Sequence, residues 1–142
     1  MLLSKEIAVY LNLAACKYKQ YISRLLKENG IDLTPEQFLL IDLLWNQGAM
    51  SQQSIADAMQ KDKNSVTKLV DGLERKQMVV RVKDKNDRRS NLVHLTQKAE
   101  AMKSATKEKG ISMLEKILVG ISEDELKSFL SVLSKMNQNM SR

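Results

Sequence analysis

Ten basic side chains fall within residues 61–89: Lys61, Lys63, Lys68, Arg75, Lys76, Arg81, Lys83, Lys85, Arg88 and Arg89. They face five acids, Asp62, Asp71, Glu74, Asp84 and Asp87, so this fifth of the chain carries +5 of a net +6. Cations concentrated in this way neutralise phosphates and release their counterions, which is what a polyanion binder needs. By charge alone, a basic solvated surface and a nucleic-acid binder stand about even. Other chemistry is sparse. One cysteine, Cys16, and one histidine, His94, cannot build a Cys/His zinc site. There is no Gly-rich phosphate loop, no G-x-S-x-G and no H-E-x-x-H. No catalytic constellation supports an enzyme, and neither a cofactor nor a metal is expected. His94 reads as a surface or phosphate-facing residue.

The elements that must carry the basic cluster are legible from periodicity. Ile7, Leu11, Ala14, Tyr18, Ile22 and Leu25 recur at three- and four-residue steps and predict a helix over residues 5–28, closed by Asn29-Gly30. Thr34-Pro35-Glu36-Gln37 opens a second helix with a capping box. Ser51 caps a short third helix with Ile55, Ala56 and Met59 facing inwards. A fourth runs over about 63–76, its apolar stripe Val66, Leu69, Val70 and Leu73 opposed by Lys61, Asn64, Lys68, Asp71 and Arg75. The period then changes. Residues 78–83 and 91–95 predict two strands around the charged loop Asp84-Lys85-Asn86-Asp87. Thr96 caps a long helix towards Gly120, and Ser122-Glu123-Asp124-Glu125 starts the last. The expected class is mainly α with a small β-hairpin wing, a winged helix-turn-helix plus a helical dimerisation region. Helix four is then the recognition helix, its N-terminal residues towards base edges in the major groove.

The stretch from Asn64 to Lys76, NSVTKLVDGLERK, resembles the recognition helix of the MarR/SlyA family. The wing DRRSNLVHLT, Asp87 to Thr96, resembles that family's D-x-R…L-T signature. The flanking helices follow the same order, so the resemblance covers essentially the whole chain. It implies a homodimeric, mostly repressing transcription factor of roughly triangular outline, often released from double-stranded DNA by a small apolar or phenolic effector held between its lobes. It divides the chain into a dimerisation helix (1–30), a DNA-binding domain (31–96) and C-terminal dimerisation helices (97–142). Asn64, Ser65 and Lys68 match positions that meet bases and phosphates. Arg89 matches the wing arginine that enters the minor groove, and Asp87 the acid that orients it. Thr67, Arg75 and Arg88 complete the expected DNA-binding set. Physics agrees: a narrow minor groove attracts Arg, Lys68 can reach guanine acceptors or phosphate, and Asn64 can pair with adenine. The rival reading pairs Arg88 and Arg89 with Asp84 and Asp87.

Two positions depart from the family pattern. Gln77 replaces a frequent Gly after the recognition helix, where a left-handed cap is costly, which predicts a different helix ending. Ala99 replaces a frequent Gly after the L-T pair. Gly72, inside helix four, is either simply tolerated or admits a close approach to DNA.

The terminal helices carry more apolar residues than a small DNA-binding lobe covers, Ile7, Leu11, Leu118, Phe129, Leu130 and Leu133 among them. They are the expected dimer contacts. A dimer sets two recognition helices on a pseudo-palindrome. The alternatives are a thiol-based redox regulator through Cys16, although Tyr10 rather than Cys16 falls near the family's sensing position, and a winged-helix protein-interaction module, against which the +5 segment argues. A lone cysteine, no secretory signal and no long apolar run predict a cytoplasmic protein without a membrane partner.

Overall fold

Capping chemistry sets most of the element boundaries. In the computed structural model, which describes residues 2–142, α1 (Leu3–Glu28) ends at Gly30, whose φ of 71° lets the Ile31 N–H reach the Leu26 carbonyl at 2.9 Å. This is the paired-bond stop of a Schellman turn. Thr34 opens α2 (Pro35–Gln47) with the expected reciprocal bonds: its Oγ1 accepts from the Gln37 N–H, and its own N–H donates to Gln37 Oε1, each at 3.1 Å. Ser51 accepts from the Ser54 N–H to cap α3 (Gln52–Met59). Gln60, left-handed at φ 53°, and Asp62, the next N-cap, turn the chain into α4 (Lys63–Arg75).

The end of α4 differs from the sequence expectation. Gln77 takes the left-handed conformation itself, at φ 60°. The Met78 N–H reaches the Leu73 carbonyl at 2.9 Å, and Thr96 Oγ1 donates to the Gln77 carbonyl at 2.7 Å. Tertiary bonds thus hold a residue where glycine is the natural choice. The left-handed cost of ~1–2 kcal/mol, less the ~0.5–1 kcal/mol of extra unfolded-chain freedom a glycine brings, leaves Gln77→Gly about 0.5–1 kcal/mol more stable. Urea unfolding followed by circular dichroism checks this; an unchanged midpoint would mean that the position carries no strain.

Strands β2 (Val79–Lys83) and β3 (Asn91–Leu95) form the expected hairpin, with Val79 opposite Leu95 and Lys83 opposite Asn91. A third strand joins them. Met50 and Ser51 (β1) pair antiparallel with Val93 and Leu92, giving the order β1-β3-β2. Two residues are too few to show a period, so the sequence predicts only the hairpin.

Leu40, Ile41 and Leu44 of α2, Ile55 of α3, Val66, Val70 and Leu73 of α4, and Val79 and Val93 of the sheet are almost wholly buried in one core. Apolar spacing on each helix turns these faces together. Gly72 is buried too. A Cβ there would lie 2.8 Å from Gln37 Nε2, so this glycine admits α2, not DNA, to the helix.

The long helix expected after Thr96 is divided into α5 (Gln97–Ala101) and α6 (Lys103–Ile117). At the break the Ala99 carbonyl accepts from the Trp45 indole N–H at 3.1 Å as well as from the Met102 N–H, and Lys103 Nζ donates to the Trp45 carbonyl. Side chains that enter the backbone ladder are a recognised cause of such breaks. Ser122 and Glu125 close a full capping box at the start of α7 (Glu123–Met140). The chain falls into two compact units, one ending at Ser104 and one from Ala105 to Arg142. No helix among the described residues is long and apolar enough to cross a membrane.

Candidate nucleic-acid interface

The N-terminus of α4 is built by Asp62. Its carboxylate accepts from the Ser65 N–H at 2.8 Å and from the Ser65 hydroxyl at 3.0 Å. Ser65 is thereby committed to the cap. Thr67 is occupied as well: its hydroxyl donates to the Lys63 carbonyl at 2.9 Å and accepts from Gln52 Nε2 at 3.2 Å. Asn64 and Lys68 are exposed and, among the described residues, make no side-chain hydrogen bond or ion pair. The bonds from Ser65, backbone first and hydroxyl second, hold the Asp62 carboxyl below its usual range. A folded pKa below the ~3.9 of an unfolded aspartate means stability that is present above that value and lost as pH falls through the folded one. Acidification below the usual carboxylate range is therefore expected to loosen the first turn of α4. The Ser65 amide proton should exchange faster there, and Asp62→Ala should remove that pH dependence; an indifferent Ser65 would exclude the effect.

The wing loop, residues 84–90, is ordered by its own acids. Asp84 Oδ1 accepts from the Asn86 N–H at 2.9 Å and Asp87 Oδ1 from the Arg89 N–H at 3.0 Å. Asp84 N–H and Ser90 carbonyl close the loop at 3.0 Å. Asp87 therefore holds the Arg89 backbone rather than its guanidinium. Arg88 and Arg89 are exposed and, among the described residues, form no ion pair, so the rival pairing with Asp84 and Asp87 is absent. Arg89, Asp87, Ser90 and Asn91 face Gln52, Gln53, Lys63 and Thr67 across a cleft of about 360 Å³ between wing and helices.

Arg75 stands apart. It lines a separate cavity of about 420 Å³ with Asp32, Leu33, Lys76 and Lys98, at the far end of α4 from Asn64. The two stand eleven positions apart on the helix, about 16 Å along the axis. Basic charge is also less available than the sequence suggests. Lys61 pairs with Glu36 at 3.3 Å, and Lys76 with Asp32 at 3.8 Å.

Arg81 is the residue that sequence reasoning placed wrongly, as one more cation of the basic patch. From β2 its Nε donates to Gln52 Oε1 at 2.6 Å, Nη1 to the Glu74 carboxylate, and Nη2 to Asp71 Oδ1 at 2.8 Å and the Thr67 carbonyl at 3.3 Å. Asp71, expected on an open polar face, is spent on this contact. Nothing in the spacing announces it, because Gln52, Asp71 and Arg81 lie on three elements. Cys16 is exposed on α1.

A helix presented by a capped turn, beside a hairpin whose tip carries unpaired arginines, on a three-stranded sheet, defines a winged helix-turn-helix protein. The family model for MarR matches residues 33–91. The uncharacterized HTH-type transcriptional regulator YfiV of Bacillus subtilis (strain 168) is 32% identical over 112 residues, covering 77% of this chain and 70% of YfiV. The regulator MhqR of the same organism is 23% identical over 136 residues, 96% of this chain and 92% of MhqR. In three dimensions the S. aureus MepR–DNA complex matches with a TM-score of 0.83 at 25% identity, over 93% of this chain and 96% of that one. The chain belongs to the MarR family of DNA-binding transcriptional regulators.

Proposed function

We propose that this protein is a sequence-specific repressor that binds a pseudo-palindromic operator as a homodimer and releases it on binding a small apolar or phenolic effector. The observation that carries the DNA reading is the cleft between wing and helices, where Arg89 faces Lys63 and Thr67, with Asn64 and Lys68 exposed and uncommitted on the same helix, α4. α4 enters the major groove by its N-terminal turn, where Asn64 and Lys68 reach base edges or phosphate. Ser65 and Thr67, expected as direct contacts, have their hydroxyl protons committed to Asp62 and the Lys63 carbonyl and serve by shaping that turn, and Arg88 and Arg89 approach the minor groove through the wing. Arg75, remote from this turn, meets DNA only where the duplex curves along α4. Residues 1–30 and 97–142 supply the dimer contacts, in line with the exposure of Ile7, Leu11, Leu118, Phe129 and Leu130. Leu133 is half-buried within the chain itself. The cytoplasm is the compartment of such a regulator.

The test is selection of duplexes from a random-sequence pool, followed by titration of the enriched duplex at several salt concentrations. A pseudo-palindrome bound with a steep salt slope supports the reading. Recovery of no sequence, with weak binding displaced by competitor, would favour a protein-interaction module instead. With the selected duplex, Lys68→Ala is expected to weaken binding. A salt slope reduced by about one marks a phosphate contact, and an unchanged slope a base contact. Unaltered affinity would remove Lys68 from the interface.

A further inference from the structure

We infer that Arg81 is a positioning residue for DNA binding: it staples the wing to the recognition helix and so sets where Arg89 points, without touching DNA itself. The inference rests on the DNA-bound reading above. A guanidinium offers five donors in a rigid fork. Here the fork reaches from β2 to two other elements, to Gln52 at the start of α3 and to Asp71, Glu74 and the Thr67 carbonyl along α4. Its side chain is only 20% exposed. Both flanking wing residues, Val80 and Val82, are exposed and give the outer hairpin no apolar anchor. β1 reaches only Leu92 and Val93 on the other strand. Val79 and Val93, the latter opposite Arg81, anchor the inner hairpin in the core; beyond them on β2 the polar contacts of Arg81 are the tie between hairpin and helix.

The lever arm makes that angle matter. The loop begins three residues beyond Arg81, about 10 Å at the rise of a strand. A tilt of about 10° shifts the tip by about 2 Å, enough to break a hydrogen bond. Arg81 also covers two carboxylates on the helix that faces DNA, so its charge is already matched within the protein.

The alternative role, a direct phosphate contact, makes opposite demands. Binding of the duplex selected by the wild-type protein is measured for Arg81→Met, Arg81→Lys, Asp71→Ala/Glu74→Ala, Arg89→Ala and Lys68→Ala, with the circular dichroism of each variant checked against wild type. As a staple, Arg81→Met weakens binding about tenfold, on the scale of one lost wing contact. Arg89→Ala then costs about tenfold in wild type but less than about twofold in the Arg81→Met background, while Lys68→Ala costs the same in both. Arg81→Lys does not rescue, because an ammonium cannot span four partners on two helices. The Asp71→Ala/Glu74→Ala protein binds more weakly although it has lost two negative charges. Tighter binding by that protein, rescue by lysine, or full additivity of Arg81→Met with Arg89→Ala would each overturn the staple. If wild type selects no duplex, the DNA-bound reading itself has failed, and the inference with it; if a duplex is selected but Arg89→Ala alone has no effect, the wing is out of the interface and the staple alone is overturned.

Discussion

Glutamate at both Phe129 and Leu130 is expected to give a chain that stays helical, sediments as a monomer and binds its selected operator about 10²–10⁴-fold more weakly. The two side chains are 57% and 66% exposed within the chain, so the charges cost its own fold little. Large apolar side chains are exposed on α7 and, separately, at Ile7 and Leu11 of α1, the surfaces that the proposed dimer would cover. If a second copy covers it, two carboxylates per protomer would be buried without partners, and that penalty is severe. DNA binding then suffers through geometry. Two recognition helices held about 34–36 Å apart engage successive major grooves together. Separated, each must bind alone, and the loss is the effective concentration that linkage had supplied, the source of the 10²–10⁴ factor. Sedimentation and titration on the same preparation decide the matter. A double variant that remains dimeric would move the interface away from α7.

Arg89→Ala is the second large effect, a loss of about 5–100-fold per wing contact, with helical content and oligomeric state unchanged. The residue is exposed at the wing tip, and among the described residues nothing pairs with its guanidinium. Its backbone is fixed by Asp87 through a 3.0 Å bond, so the side chain is presented from an ordered loop rather than searched for at entropic cost. A narrow minor groove concentrates negative potential and rewards an inserted Arg according to groove width. The loss should therefore be greatest on duplexes with A·T-rich flanks and smaller where those flanks are replaced by G·C pairs. Equal losses on both would assign Arg89 to phosphate alone; no loss on either would take the wing out of the interface.

Much of this could be read along the chain. Thr34 with Gln37, Ser51, Thr96 and Ser122 with Glu125 announce four helix starts, because a capping bond spans three residues and needs no distant partner. Gly30 announces a stop for a similar reason. The apolar stripe of α4 and the switch to a two-residue period after it locate the recognition helix and wing, and the motif from Asp87 to Thr96 carries the family. Asn64, Lys68 and Arg89 are legible as candidates because their environment is solvent, which imposes nothing on them.

What the tertiary structure decided are matters of partners far apart in sequence. The break at Met102 depends on Trp45, which lies 54 residues before the carbonyl it takes. Gln77 turns left-handed against its own preference because Thr96 and the Leu73 carbonyl hold the turn. Gly72 makes room for Gln37, and Arg75 sits at the wrong end of its helix for the turn that carries Asn64. Arg81, one cation among ten in the sequence, is matched by Asp71 and Glu74 and held by Gln52. A count of charges assigns each to solvent until packing shows which are already neutralised. Local propensity and periodicity thus specify the elements and the residues proposed to meet DNA, while long-range hydrogen bonds and ion pairs fix how those elements are held.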